Sequence, residues 1–238
     1  MPNQSKRKLL NETAPLTVGL VMFPNLTQLD LTAPYEVFNR MPHTNVLLLA
    51  SSVAPVRTEW GLALTPDATF SDAPELDVLC VSGGWGVNAA LEDANLISFL
   101  RERGEEARYV TSVCSGALLL GAAGLLKGYR ATTHWMSAEL LAFFGATLVA
   151  ERVVVDRNRI TGGGVTAGID LALVIAWNLF GAEIAQQIQL AIEYDPAPPF
   201  SSGSPRTAPA AVRDAVLRAS AANLSERRRI VERVSATV

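Results

Sequence analysis

Cys114 stands where a run of β-formers gives way to a run of helix-formers. Residues 108–113 (RYVTSV) are rich in β-branched and aromatic side chains, as a buried strand requires. Residues 115–123 (SGALLLGAA) are small residues and leucines that read as a helix. A side chain at a sharp strand-to-helix turn is pushed into the open. Ser112 and Gly116, two positions to either side, are small enough for so crowded a turn. This is the layout of a nucleophile elbow, with sulfur where hydrolases usually carry a serine oxygen. The N-terminus of the following helix favours the thiolate, the reactive form. The predicted chemistry is attack by sulfur on an electrophilic carbon.

A nucleophile of this kind needs a proton carrier and a place for developing charge. Asp30, between Leu29 and Leu31, follows the first apolar run. It is either a carboxylate favoured by the adjoining helix N-terminus or an acid–base partner whose pKa an apolar setting raises. Gly83 and Gly84 form a tight turn and offer backbone N–H groups to an anion, with the Ser115 N–H as a further donor. His134 is the histidine to weigh as a Cys–His partner, but nothing in the spacing places its ring beside Cys114. His43 reads as a surface residue, and Cys80 as a buried structural cysteine. Gly162, Gly163 and Gly164 lack the dinucleotide spacing and read as close helix–sheet packing.

The elements that position these residues alternate. Residues 16–23, 45–51, 76–82 and 108–113 are apolar runs of the kind found in parallel strands covered on both faces. A helix follows the first strand through about Arg40, with Thr32 as its cap and Pro34 in its first turn. Helices are expected over 95–103, 136–144, 167–180 and 182–192, and short strands over 147–150, 153–155 and 159–161, while residues 127–135 return to the sheet. This predicts an α/β flavodoxin-like sandwich with a mainly parallel central sheet. In such sheets ligands sit outside the carboxyl ends of the strands. Residues 1–14 read as a disordered tail, 15–194 as the α/β domain, and 195–209 as a Pro-rich connector. A final amphipathic helix from 210 to about 234 packs on the domain or on a partner copy, and Arg227, Arg228 and Arg229 read as its solvated face.

Composition bounds the partners. A net charge of −3 argues against a nucleic-acid surface. Two cysteines and two histidines, far apart, leave no spacing for a metal site. No targeting or membrane-spanning run is visible, which points to the cytoplasm.

Several stretches together resemble the ThiJ/PfpI superfamily, and within it the branch whose members hydrate isonitriles. They include QLDLT at 28–32, Gly83-Gly84, VTSVC at 110–114, GAAGLL at 121–126, ATTHW at 131–135, TGGG at 161–164, TAGID at 166–170 and APPF at 197–200. The resemblance implies that Cys114 attacks the terminal carbon of an isonitrile while Asp30 moves the proton. Gly83, Gly84 and Ser115 would hold the intermediate, with Thr32 and His134 behind them. It further implies a homodimer, an isonitrile as the small-molecule partner, and no metal or organic cofactor. Peptidase-type members place a histidine after the cysteine; here it is Ser115, where the hydratases tend to carry threonine. Relatives with glyoxalase-like activity carry glutamate where this chain has Asp30. Residues 110–135 also resemble regulators that join this domain to a DNA-binding module, but only 29 residues follow Pro209, where such a module needs about a hundred. The remaining rivals are a glyoxalase- or deglycase-like enzyme on α-oxoaldehydes and a non-enzymatic ligand or oxidation sensor.

Overall fold

The computed structural model describes residues 15–236; the tail expected at 1–14 lies outside the described residues. Along the chain run β1 (Leu16–Val21), α1 (Gln28–Phe38), β2 (Thr44–Ala50), β3 (Val56–Arg57), β4 (Ala63–Leu64) and β5 (Ala68–Thr69). They continue with β6 (Val78–Val81), α2 (Val87–Ala90), α3 (Ala94–Glu106), β7 (Tyr109–Ser112), α4 (Gly116–Ala122) and β8 (Arg130–Ala131). A 3-10 helix (Trp135–Phe144), β9 (Thr147–Leu148), β10 (Val153–Asp156), β11 (Arg159–Gly162), α5 (Ala167–Phe180), α6 (Ala182–Ala191) and α7 (Ala210–Ser235) complete it.

The central sheet has the order β10-β11-β7-β6-β1-β2-β5. All neighbours pair in parallel except the β10–β11 hairpin. β1 is apolar because both its faces are covered: Val18, Leu20 and Val21 have no exposed surface. Each such burial stabilises the fold by about 1.5–3 kcal/mol. The chain leaves β1 toward β2 and later returns on the other side of β1 with β6. The crevice at the carboxyl ends of β1 and β6 is therefore a topological switch point, where doubly wound sheets bind ligands.

Three local expectations change. α1 starts at Gln28, with Thr27 in the cap position, so Thr32 lies inside the helix and its hydroxyl donates to Gln28 Oε1 at 2.9 Å. Pro34 lies in the helix interior and not in the first turn. Pro34 brings no N–H for the carbonyl of Asp30, four residues back. It is accommodated by close packing on α5, where a Cβ added at Gly168 would lie 3.0 Å from Pro34 Cδ. Residues 127–135 do not rejoin the central sheet, since β8 pairs with β9 in a separate two-stranded sheet. Among the described residues no helix is long and apolar enough to cross a membrane.

Candidate active site

Three neighbouring strands end at one place. Asp30 follows β1 on the first turn of α1, Gly83-Gly84 follows β6, and Cys114 follows β7. Cys114 has φ +57°, a left-handed conformation that a residue with a Cβ adopts only when its surroundings impose it. Those surroundings are specific. The Cys114 N–H is shared between the carbonyls of Gly162 at 3.1 Å and Gly163 at 2.7 Å. The Cys114 carbonyl accepts the Thr133 hydroxyl at 2.8 Å. The small residue expected at 116 has its reason: a Cβ on Gly116 would lie 2.4 Å from the Val81 carbonyl oxygen.

Asp30 has no exposed surface. Its Oδ2 accepts the Gly83 N–H at 2.9 Å. Oδ1 makes no conventional hydrogen bond; the Cys114 thiol favours the ionised carboxyl and the Glu59 charge opposes it. Burial pushes the carboxyl up to about 7, and the Gly83 and thiol interactions draw it only partly back. The thiol, 5% exposed, is held well above its ordinary pKa, by burial first and by the Asp30 charge second. The Ser115 N–H and the Arg227 charge oppose this. Burial thus outweighs the helix N-terminus expected to favour the thiolate. Two adjacent negative charges are too costly in one buried site, so near neutral pH the pair holds a proton between them.

The glycine turn is built differently from its expected use. The Gly83 N–H is spent on Asp30, and the Gly84 N–H donates to Ser115 Oγ at 3.1 Å. Neither amide is left vacant for an oxyanion. Gly83 is wedged between the acid and the elbow: a Cβ there would lie 2.6 Å from Ser115 N and 2.8 Å from Asp30 Oδ2. Gly84, at φ +127°, is pressed against Thr27 N.

A cavity of about 140 Å³ opens over Cys114 and Ser115. Thr27, Glu59, Gly84 and Trp85 line one part of its wall, and His134, Met136, Val165 and Arg227 the rest. Glu59 comes from the β3–β4 turn, where it accepts the Thr27 hydroxyl at 3.0 Å and the Trp85 N–H at 3.4 Å. A larger groove of about 570 Å³ between the 3-10 helix and α7 shares Met136 with this cavity, but Cys114 is not in its wall.

Of the residues predicted from sequence, Cys114, Asp30, Gly83, Gly84, Ser115 and His134 come together; Thr32 does not, its hydroxyl being turned to Gln28. His134 accepts the Met136 N–H on Nδ1 at 3.4 Å and so caps the 3-10 helix. Burial, aided by the Arg227 charge, lowers it to about 4, so the ring is neutral near pH 7. Cys80 is fully buried in β6, its thiol pushed up to about 12. Among the described residues no group of three or more His, Cys, Asp or Glu side chains could hold a metal ion.

Arg227 is the residue that sequence reasoning missed. Read as part of a solvated face, it is 4% exposed and reaches the site from α7, while Arg228 and Arg229 do face solvent. A signal was present: Arg227 falls on the stripe of Ser220, Ile230 and Val231, all buried and spaced at helical period.

Residues 17–177 match the DJ-1/PfpI family. The chain is 52% identical over 221 residues to an isonitrile hydratase of Pseudomonas putida, covering 93% of this chain and 97% of that one. A crystal structure of a ThiJ/PfpI family protein from Pseudomonas syringae superposes with TM-score 0.89 at 42% identity, covering 97% of each chain. The HTH-type transcriptional regulator GbdR of Pseudomonas aeruginosa is 30% identical over 186 residues, 75% of this chain but 49% of that protein.

Proposed function

This chain belongs to the DJ-1/PfpI family, and we propose that within it the chain hydrates isonitriles to N-substituted formamides, with Cys114 as nucleophile and Asp30 as proton carrier. The observation that carries this reading is the buried Asp30–Cys114 pair under a small cavity. The likeness to an isonitrile hydratase along nearly the whole chain supports it.

The pair begins with its proton on sulfur or on carboxyl. With the proton on Asp30, the thiolate attacks the terminal carbon of R–N≡C, forming the C–S bond. Asp30 then gives its proton to that carbon, leaving a thioimidate, R–N=CH–S–Cys. Water adds its oxygen to the carbon, one proton passing through Asp30 to the imine nitrogen. The C–S bond breaks as the carbinol closes to a carbonyl, and the hydroxyl proton returns through Asp30 to sulfur. The sum is R–NC plus water to R–NH–CHO. A carboxyl tuned to about 7 both gives and takes protons near neutral pH. Attack on an isonitrile puts negative charge on carbon, next to the Asp30 proton, so occupied amides at Gly83 and Gly84 are no obstacle. They weigh against α-oxoaldehyde chemistry, where attack builds charge on oxygen. Gly83, Gly84 and Ser115 act here by shaping the floor and holding Asp30. His134 braces the wall.

A homodimer fits the apolar face of α5 and α6, where Trp177 is 59% and Leu190 80% exposed; light scattering tests it. Two free thiols suit a reducing compartment, and hence the cytoplasm. The decisive assay is purified protein with cyclohexyl isonitrile, read by mass for N-cyclohexylformamide. Wild type should convert it and Cys114→Ala should not. Equal slow conversion by both, or turnover of methylglyoxal alone, would overturn the reading.

A further inference from the structure

We infer that Arg227, carried into the site by α7, is a positioning residue that stabilises the anionic form of the Cys114 sulfur, the thiolate being the counter-charge for which this buried cation is held. The inference rests on Cys114 being the nucleophile, not on which electrophile it attacks.

Buried guanidinium groups are ordinarily paired with a carboxylate. Arg227 makes three hydrogen bonds, all to neutral acceptors: Nε to Asn88 Oδ1 at 2.8 Å, Nη1 to Ser137 Oγ at 3.1 Å and Nη2 to the Gly84 carbonyl at 2.9 Å. Among the described residues no carboxylate lies within ion-pair distance of it, whereas Arg228, Arg229 and Arg233 on the same helix each pair with a glutamate. Each of its three nitrogens is hydrogen-bonded, and its charge has no carboxylate beside it among the described residues.

The position of the charge explains the arrangement. Arg227 lines the same cavity as Cys114. Its bond to the Gly84 carbonyl fixes the turn whose N–H holds Ser115, the residue after the nucleophile. The titratable groups around the sulfur are Asp30 from α1, Glu59 from the β3–β4 turn, Cys80 from β6 near Asp30, and His134 from the loop before the 3-10 helix. Two are acids, and His134 is neutral near pH 7. Among the described residues Arg227 is therefore the one permanent cation in the wall of the cavity. The interaction is mutual, with Arg227 drawing the thiol pKa down and the sulfur drawing the guanidinium pKa up.

α7 lies outside the segment that defines the family, residues 17–177. An alignment covering 97% of the chain leaves too few residues uncovered to omit this 26-residue helix. The shared α/β domain thus supplies the thiol and the acid, and an appended helix supplies the cation.

The test is alkylation of the full-length protein by iodoacetamide between pH 5 and 10, followed by the mass of the Cys114 peptide. Sulfur displaces iodide in this reaction, and only the thiolate reacts. Arg227→Met should move the rising limb of the pH profile up by about one unit, slowing the reaction at pH 7 by about tenfold. Arg227→Lys should recover to within about threefold of wild type. Arg228→Met removes an exposed charge from the same helix and should leave the profile in place. Asn88→Asp sets a carboxylate against the Arg227 Nε. It should slow alkylation as Arg227→Met does without lowering the melting temperature, a result that a purely structural arginine does not produce. Profiles of Arg227→Met and Asn88→Asp that superpose on wild type would overturn the inference; if Arg227→Met does not fold, Asn88→Asp decides alone. Because no isonitrile is used, a chain that shows the shift but hydrates no isonitrile keeps this inference and loses the hydratase reading. A working hydratase with no shift does the reverse.

Discussion

Oδ2 of Asp30 accepts the backbone N–H of Gly83 at 2.9 Å, so the acid of the site is aimed by a backbone turn from the neighbouring strand. The bond joins the ends of β1 and β6 directly beneath the elbow of β7. It leaves the second carboxyl oxygen without a conventional partner and the carboxyl coupled to the thiol. Rigid strand ends set this geometry, and no flexible side chain intervenes.

Gly83→Ala should damage both stability and turnover. The added methyl has no space, with Ser115 N at 2.6 Å and Asp30 Oδ2 at 2.8 Å, and neither neighbour is the free end of a long side chain. A loss of about 1–3 kcal/mol is expected, measured by urea denaturation. The hydration rate should fall further than the folded fraction does, because Asp30 is displaced.

Asp30→Asn should change how stability depends on pH. The carboxyl titrates at about 7 in the folded chain against 3.8 as its ordinary value. Between these values the folded chain keeps a proton that the unfolded chain has released. The stability that Asp30 contributes is complete below about pH 4 and is lost as pH rises through 7. Asparagine has no such slope. Urea midpoints at pH 5 and pH 8 should therefore move in its favour at the higher pH, by up to a few kcal/mol at about 1.36 per unit. Its hydration rate should drop by about 100-fold or more.

Ser115→Ala removes the acceptor for the buried Gly84 N–H. An unsatisfied buried amide costs about 1–3 kcal/mol. Ser115→Thr retains an oxygen at that position, so thermal melts should show a loss for alanine that threonine does not share.

His134→Asn should leave the shape of the kcat/KM profile between pH 6 and 8 unchanged, since the ring, at about 4, carries no proton to lose there. Asparagine can still accept the Met136 N–H as a cap. Alanine cannot, and should cost about 0.5–2 kcal/mol in a denaturation experiment. The folded pKa lies below the ordinary 6.5, so the stability due to the neutral ring is present above 6.5 and lost as pH falls toward 4.

The parts of this architecture that could be read from sequence are those governed by local patterns. Apolar runs marked β1, β6 and β7 because central parallel strands admit little else. Cys114 and Asp30 could be picked out because each stands at a switch from one period to another. Thr32 and Pro34 misled for a tertiary reason: proline belongs in a first turn by propensity, but packing against Gly168 keeps it inside α1. The expected use of the Gly83 and Gly84 amides overlooked a competition between nearby acceptors, Asp30 and Ser115, that no spacing reveals. Arg227 was hidden by its neighbours. Three arginines in a row look like one charged surface, yet successive helical residues are about 100° apart, and only one of the three turns inward.

The hydrogen bond from Arg227 to the Gly84 carbonyl spans 143 positions of sequence. During synthesis domains form from the N-terminal side, at about 5–20 residues per second. Strands β1, β6 and β7, beside which the thiol and its acid stand, are therefore made seconds before Arg227. The site is thus completed from the far end of the chain, the acid and the thiol coming from its first half and the cation from its C-terminal helix.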